Sequence, residues 1–120
     1  MELSAKLQVP DGASVRIINA PSGLDLGLPS GTGILEAILF FAQDSKSLRT
    51  RGEPAFDAAR RDKLVWIAYP KAGQLGTDLN RDKVWALLKD KGIRPVRQVS
   101  INDTWSALRF RPEGKASGHN

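Results

Sequence analysis

Residues 36–69, EAILFFAQDSKSLRTRGEPAFDAARRDKLVWIAY, decide the fold of this chain. The stretch opens with the apolar run 36–41 and closes with the apolar run 63–69, and neither run alternates polar with apolar residues. Short, continuously apolar runs are typical of strands that are covered on both faces of a sheet. We therefore expect two central strands here.

The segment between the two apolar runs predicts helix. Asp44 or Ser45 supplies the side-chain oxygen that caps a first helix, and Gly52 and Pro54 interrupt that helix. Pro54 suits the first turn of a second helical piece over residues 55–61. A strand, a helical crossover and a second strand predict a parallel pair with helices packed on the sheet.

The helix that follows the second apolar run is the most clearly marked element. Thr77, Asp78 or Asn80 caps its start, and Gly92 stands at the position where a glycine commonly ends a helix. The residues expected in its buried stripe are Val84, Leu87 and Leu88, with Trp85 alongside.

Strands at either end of the chain complete the predicted sheet. Residues 14–19 form a short strand, and residues 94–101 and 105–111 form two strands joined by the three residues 102–104. A connection this short requires an antiparallel hairpin. The predicted fold class is α/β, with a small, mainly parallel sheet of about five strands and a C-terminal antiparallel hairpin.

Length and composition indicate one globular domain. The chain has 120 residues, 41% of them hydrophobic and 26% charged, and residues 1–112 suffice for a single domain with its own core. Residues 113–120 are too polar and glycine-rich to pack, so we expect a disordered tail there. The longest apolar run, 37–42, is far shorter than a membrane span, and the first residues lack the apolar core of a signal peptide. We therefore expect a cytoplasmic protein.

The residue types exclude several chemistries. The chain has no cysteine, which excludes disulfides, thiol catalysis, zinc fingers and iron–sulfur clusters. Its one histidine, His119, lies in the expected disordered tail, so a Ser–His–Asp triad or a histidine-based metal site has no fixed imidazole. No acidic cluster has the loop spacing of a Ca²⁺ or Mg²⁺ site, and we expect no bound metal.

Two segments carry a resemblance to known proteins. Residues 64–71, LVWIAYPK, and residues 103–110, DTWSALRF, resemble a group of small bacterial proteins that have no assigned function. Those proteins have Pro-Lys after an apolar strand and an Asp/Thr-Trp-Ser…Arg segment near the C-terminus. The order of elements over residues 36–112 is also similar to the second half of a Rossmann-like methyltransferase. That resemblance implies a truncated Rossmann-like sheet.

The resemblance to methyltransferases does not extend to a cofactor site. Such a site needs a glycine-rich turn after the first strand, where the backbone approaches the ligand. Here residues 19–23 are Asn-Ala-Pro-Ser-Gly, and Pro21 stiffens the turn and lacks an amide hydrogen. No second strand ends in an acidic residue that could hold a ribose hydroxyl. We expect no S-adenosylmethionine site, no dinucleotide site and no other cofactor.

The carboxyl ends of parallel strands form the edge at which open α/β sheets bind ligands. The residues expected at this edge are Asn19, Tyr69, Lys71, Asp103 and Thr104. Asp78 lies at the start of the next helix, whose first amides together with Lys71 suit an anion. The alternative is ordinary turn chemistry, with Lys71 solvated, Asp78 capping its helix and Asp103 shaping the turn.

The predicted hairpin is basic. Arg97, Arg109 and Arg111 occupy alternating positions of their strands, and a three-residue turn puts Arg97 opposite Arg109. Like charges across a strand pair are destabilising, so we expect a carboxylate, a phosphate or a partner chain as counter-charge, unless both side chains extend into water. Trp105, next to the turn, either stacks on a ligand or packs across the hairpin.

Three functions stay open at this point. The first is a non-catalytic domain that binds a ligand or oligomerises, most simply as a homodimer. Its contact involves strand 14–19, whose edge is less protected than the hairpin, or an uncovered helix face. The second is an enzyme that acts on a small anionic substrate, with Lys71 as electrostatic stabiliser and Asp78 or Asp103 as base. The third, which the sequence favours least, is non-specific nucleic-acid binding through the hairpin, consistent with a net charge of +5.

Overall fold

A five-stranded sheet organises the structure, a computed structural model that describes residues 3–10, 12–24, 26–28 and 36–113. The strands are β1 (Ser14–Ile18), β2 (Glu36–Phe41), β3 (Val65–Pro70), β4 (Ile93–Ser100) and β5 (Trp105–Pro112). They lie in the order β1-β2-β3-β5-β4. The first three strands are parallel to one another, and β5 runs antiparallel to both of its neighbours.

The α/β class and the C-terminal hairpin are confirmed, but the sheet is mixed rather than mainly parallel. Two pairings are parallel, β1 with β2 and β2 with β3, and two are antiparallel, β3 with β5 and β5 with β4. β5 rather than β4 pairs with β3, because β5 is the more apolar strand and is buried there. β4 carries the exposed polar residues of an edge strand. A truncated Rossmann-like sheet stays a prediction.

Among the described residues, the α-helices that accompany the sheet are α1 (Leu3–Lys6), α2 (Ser45–Arg51), α3 (Glu53–Arg60) and α4 (Arg81–Leu88). Among the capping candidates, Asp44 caps α2 by accepting from the Ser47 amide at 2.8 Å, and Asn80 caps α4 by accepting from the Lys83 amide at 2.9 Å. Gly92 follows α4 and a short 3₁₀ turn in the left-handed region, at φ 83°, as its position predicts. Within the described ranges no helix is both long and apolar enough to cross a membrane.

The sheet is covered differently on its two faces. On one side, here called the helix face, α2, α3 and α4 pack on side chains from β2, β3 and β5, including Phe40, Ile67 and Phe110. On the other side, here called the strap face, no helix longer than α1 packs among the described residues. Instead the strap, residues 3–9, and the side chains of Leu24, Leu26 and Leu28 cover Trp66, Trp105 and their neighbours. The Trp66 indole donates to the Leu7 carbonyl oxygen at 2.8 Å, which fixes the strap to β3.

Two expectations about local structure need correction. β1 ends at Ile18 rather than at residue 19, because Asn19 adopts a left-handed conformation with φ 60° that a strand cannot continue through. Trp85 is 41% exposed, since α4 buries the i, i+4 pair Val84 and Leu88 and turns Trp85 away from the sheet. The expected disordered tail lies outside the described residues except for Glu113, whose amide donates to the Gly92 carbonyl oxygen at 2.9 Å.

Candidate functional site

A cavity of about 340 Å³ opens on the helix face at the carboxyl end of β3, and we call it the edge cavity. Four elements meet there: the end of β3, the start of α4, the edge strand β4 and the inner strand β5. The residues that line it are Tyr69, Lys71, Ala72, Asn80, Arg81, Asp82, Gln98 and Ser106. Ligands are expected at this edge of an α/β sheet, so the cavity lies where the strand directions indicate.

Tyr69 forms the buried side of the edge cavity. It is 3% exposed, lies opposite Ser106 in the β3–β5 register, and accepts a hydrogen bond on its hydroxyl from Gln98 Nε2 at 3.0 Å. Burial raises the pKa of the Tyr69 phenol, and the nearby Arg81 guanidinium opposes part of that rise. The phenol is therefore neutral at physiological pH and keeps its proton as a hydrogen-bond donor.

Lys71 is held at the cavity by the hairpin. Its amide donates to the Thr104 carbonyl oxygen at 2.7 Å, and its Nζ donates to Ser100 Oγ at 2.8 Å. Asn102 Oδ1 accepts from the amides of Thr104 and Trp105, both at 2.9 Å, which stabilises the turn that Lys71 contacts. The hairpin turn therefore holds the Lys71 backbone, and Ser100 of β4 holds its ammonium group.

The start of α4 places a second positively charged side chain, that of Arg81, at the edge cavity. Arg81 is the first residue of the helix, and its Nε lies 3.5 Å from Asp82 Oδ1 in a largely exposed pair. The Asn80 side chain satisfies the Lys83 amide, while the first amides of any helix lack an intrahelical acceptor. With Lys71 and Arg81 set against Asp82, the lining carries two positive charges and one negative charge.

The predicted site residues divide between two places. Tyr69 and Lys71 line the edge cavity, and Thr104 contributes through its backbone oxygen. Asp103 is exposed in the hairpin turn. Asn19 does not join them: it lines a separate cavity of about 260 Å³ and donates from Nδ2 to the Phe41 carbonyl oxygen at 2.9 Å. The reason is the strand order, in which β2 separates β1 from β3.

Asp78 has a role that was not expected. It does not cap its own helix; its carboxylate accepts from the Ser45 amide at 2.9 Å and from Ser45 Oγ at 2.6 Å, and it pairs with Lys83 Nζ at 3.2 Å. The Ser45 hydrogen bonds and the Lys83 charge hold the pKa of the Asp78 carboxyl well below its usual range. Asp78 thus ties the start of α2 to the segment that precedes α4.

Apart from Asn80, which was expected only as a helix cap, five lining residues were missed by the sequence analysis: Ala72, Arg81, Asp82, Gln98 and Ser106. The alternation of a strand shows that Gln98 and Ser106 each point to one face of the hairpin. It does not show which hairpin strand lies beside β3, and only that pairing brings Ser106 next to Tyr69. Arg81 carried a weak signal, since it directly follows Asn80, which was one of three candidate caps.

Trp105 packs in the core, and the described residues offer no cluster of metal ligands. Trp105 is buried on the strap face and makes an edge-to-face contact with Phe41, with ring centroids 5.0 Å apart and planes at 82°. Such geometry is that of a packing residue. In the part of the chain that the structure describes, no group of three or more acidic or histidine side chains is arranged to hold a metal ion.

Comparisons with known proteins leave the function to be argued from the site itself. The resemblance to the group of small bacterial proteins and to the second half of Rossmann-like methyltransferases stays a prediction. No protein-family model, no curated protein and no solved structure matches this chain.

Proposed function

We propose that this domain binds a small anion, a carboxylate or a phosphate, in the edge cavity and acts as a non-catalytic binding module. One observation carries the proposal: the cationic side chains of Lys71 and Arg81 line the same cavity as the buried Tyr69 hydroxyl. A volume of about 340 Å³ falls at the lower end of the range for small-molecule sites, roughly 300–1,000 Å³.

The chemistry of the lining suits an oxyanion. Lys71 supplies a full positive charge, and the amides at the start of α4 add partial positive charge directed along the helix axis. Tyr69 supplies a neutral hydroxyl that is held by Gln98 and is therefore ready to donate at a fixed position. The one lining carboxylate, Asp82, is largely exposed and already lies beside Arg81, so the cavity keeps an excess of positive charge.

The geometry favours binding over catalysis because neither predicted base is suited to proton transfer in this cavity. Asp78 has its pKa held well below the usual range by Ser45 and Lys83, so it stays ionised and a poor proton acceptor near neutral pH. Asp103 lies exposed in the hairpin turn and is not among the residues that line the cavity. An enzymatic role would need a different base.

The test is anion binding by Lys71→Ala and by a matched control. Phosphate and a series of mono- and dicarboxylates are titrated by isothermal calorimetry against the wild type, Lys71→Ala and Lys46→Ala, which removes an exposed lysine of α2 away from the cavity. A charge-assisted hydrogen bond is worth about 1.5 kcal/mol or more, so Lys71→Ala should weaken binding about tenfold. Lys46→Ala should bind like the wild type.

Two results would contradict the proposal. Equal anion affinity in the wild type and Lys71→Ala would show that Lys71 does not contact the anion. An equal loss in Lys46→Ala would show that net charge, not the cavity, attracts it. Tyr69→Phe also distinguishes binding in the cavity from attraction by net charge, because it removes one hydroxyl and leaves every charge in place. It should weaken binding as well.

We also propose that the domain self-associates through β1. β1 lies at one edge of the sheet, has no proline and no bulge, and leaves Ile17 39% exposed. The other edge strand, β4, carries Pro95 and a bulge between Pro95 and Arg97, both of which interrupt pairing with a further strand. A second copy of the chain that adds its own β1 would extend the sheet and cover Ile17.

A further inference from the structure

Arg97, Arg109 and Arg111 face the same way on the strap face of the hairpin, as does Arg94, which lies opposite Arg111 and has Glu113 as its counter-charge at 3.8 Å. The β4–β5 register puts Arg97 directly opposite Arg109, and the β3–β5 register puts Arg109 beside Trp66, whose side chain packs on the strap face. Side chains of directly paired residues share a face, and Arg111 follows two residues after Arg109. These guanidinium groups therefore lie together on the side of the sheet away from α2, α3 and α4.

The counter-charge on this face is incomplete. Arg111 is paired with Asp62, with Nε and Nη2 at 3.0 and 3.1 Å from its two carboxylate oxygens. Arg109 has a neutral partner instead: its Nη1 donates to Gln8 Oε1 at 2.6 Å, and its Nε is buried with no acceptor. Arg97 is exposed and makes no hydrogen bond or ion pair with the residues that the structure describes.

Two guanidinium groups directly opposite each other raise the energy of the hairpin. Burial and the positive charge of Arg111 lower the pKa of Arg109, the Asp62 carboxylate opposes part of that fall, and the charge of Arg97 lowers it slightly further. Arginine nevertheless stays charged at physiological pH. The repulsion is therefore permanent in the free protein, and an anion that bridges Arg97 and Arg109 would relieve it.

We propose that Arg97 and Arg109 bind backbone phosphates of a double-stranded nucleic acid. The exposed Arg97 offers the planar fork of its guanidinium group to two phosphate oxygens, whereas Arg109, whose Nη1 is bound to Gln8 and whose Nε is buried, contributes its charge and its remaining Nη2. A net charge of +5 favours a polyanion over long range. Lys6 extends the positive charge toward the hairpin turn, where its Nζ donates to the Ser100 carbonyl oxygen at 3.2 Å. This surface lies on the strap face, whereas the edge cavity lies on the helix face.

The surroundings of the arginines favour a duplex over other polyanions. A peptide that docked as an added strand would pair with β4, where Pro95 and the adjacent bulge interrupt the edge. A single strand is usually held by bases stacked on exposed aromatic rings, but Trp66 and Trp105 on this face are buried. Contacts to backbone phosphates need neither, and they predict binding without sequence preference.

Fluorescence anisotropy with a labelled duplex of about 20 base pairs, repeated over a range of salt concentrations, tests the proposal. Arg97→Gln should weaken binding about five- to tenfold at low salt and reduce the slope of log affinity against log salt by about 0.9. The matched control is Arg49→Gln, which removes an exposed arginine from α2 on the helix face and should change the affinity less than about twofold. Arg97→Lys keeps the charge, so it should keep the salt slope and weaken binding less than Arg97→Gln.

Several outcomes would overturn the proposal. They are no duplex binding at about 50 mM salt, an equal loss in Arg49→Gln, or a glutamate peptide of equal charge that binds as tightly as the duplex. The result is independent of the edge cavity, because Lys71→Ala should lower duplex affinity no more than Arg49→Gln does. Thermal melts of each variant show that the fold is retained before binding is compared.

Discussion

At the scale of single residues, Gly52 joins two helices where no side chain fits. It is buried, ends α2 and begins α3, and has an ordinary φ of −86°, so backbone strain is not the reason for a glycine. A Cβ atom placed there would overlap the Phe56 ring and lie 2.5 Å from the Leu48 carbonyl oxygen. The close approach of α2 and α3 therefore depends on the missing side chain.

Gly52→Ala should destabilise the fold by about 1–3 kcal/mol, the usual cost of forcing extra atoms into a packed interior. The measurement is chemical denaturation of the wild type, of Gly52→Ala, and of the same change in a Phe56→Leu background. Because Leu withdraws the atoms that clash, Gly52→Ala should cost less in that background. Equal costs in both backgrounds would show that the Phe56 ring is not what excludes a side chain.

Asp78 sets a dependence of stability on pH. Its folded-state pKa is held well below the unfolded value of about 3.9, so its contribution is fully present above that value and is lost as the pH falls through the acid range below roughly 4. Asp78→Asn should lower the melting temperature at pH 7, and its difference from the wild type should shrink at pH values below about 4. Asp90→Asn, at an exposed site, is the control and should show neither effect. A difference that stays constant with pH would contradict this role of the carboxylate.

At the scale of elements, the register of the hairpin places two positively charged side chains opposite each other. The turn at 102–104 aligns Arg97 with Arg109, and the bulge between Pro95 and Arg97 shifts the register only beyond that pair. Apolar residues of β5 determine which face is buried, so the arginines cannot separate by a slip of one residue without exposing the core.

Arg97→Glu should therefore stabilise the domain by about 0.2–1 kcal/mol, since it replaces a repulsive cross-strand pair with an attractive one. Thermal and urea denaturation of Arg97→Glu and Arg16→Glu provide the comparison. Arg16 lies opposite the apolar Ile38 on β2, so Arg16→Glu should be close to neutral. Destabilisation by Arg97→Glu would mean that the two guanidinium groups already share a counter-charge.

At the scale of the whole molecule, the two edges of the sheet are unequal, and this predicts a dimer through β1. A lysine on an edge strand opposes pairing, so Ile17→Lys should shift the protein toward monomer in light scattering at high concentration. Val96→Lys is the matched control, because Val96 is an apolar residue of similar exposure, 37%, on the other edge strand. A wild-type monomer, or an equal effect of Val96→Lys, would contradict dimerisation through β1.

Much of the architecture was determined by residues that are close together in sequence. The apolar runs predicted β2 and β3, Asp44 and Gly92 marked helix ends, and the short turn predicted the hairpin and the Arg97–Arg109 alignment. These features depend on local capping, on backbone conformation and on the alternation of side chains along a strand, all of which act over a few residues. Tyr69 and Lys71 were found for the same reason, since they end a strand that its composition made recognisable.

The tertiary structure alone decided how these elements meet. β5 rather than β4 lies beside β3. This choice depends on which of the two hairpin strands would expose more apolar surface to water at the edge, and that comparison involves the whole sheet rather than any short segment. That choice brings Ser106 to Tyr69 and Arg109 to Trp66, and it separates Asn19 from Lys71. Likewise, Asp78 accepts hydrogen bonds from Ser45 instead of capping its own helix, because the starts of α2 and α4 lie near each other only once both helices pack on the same face of the sheet.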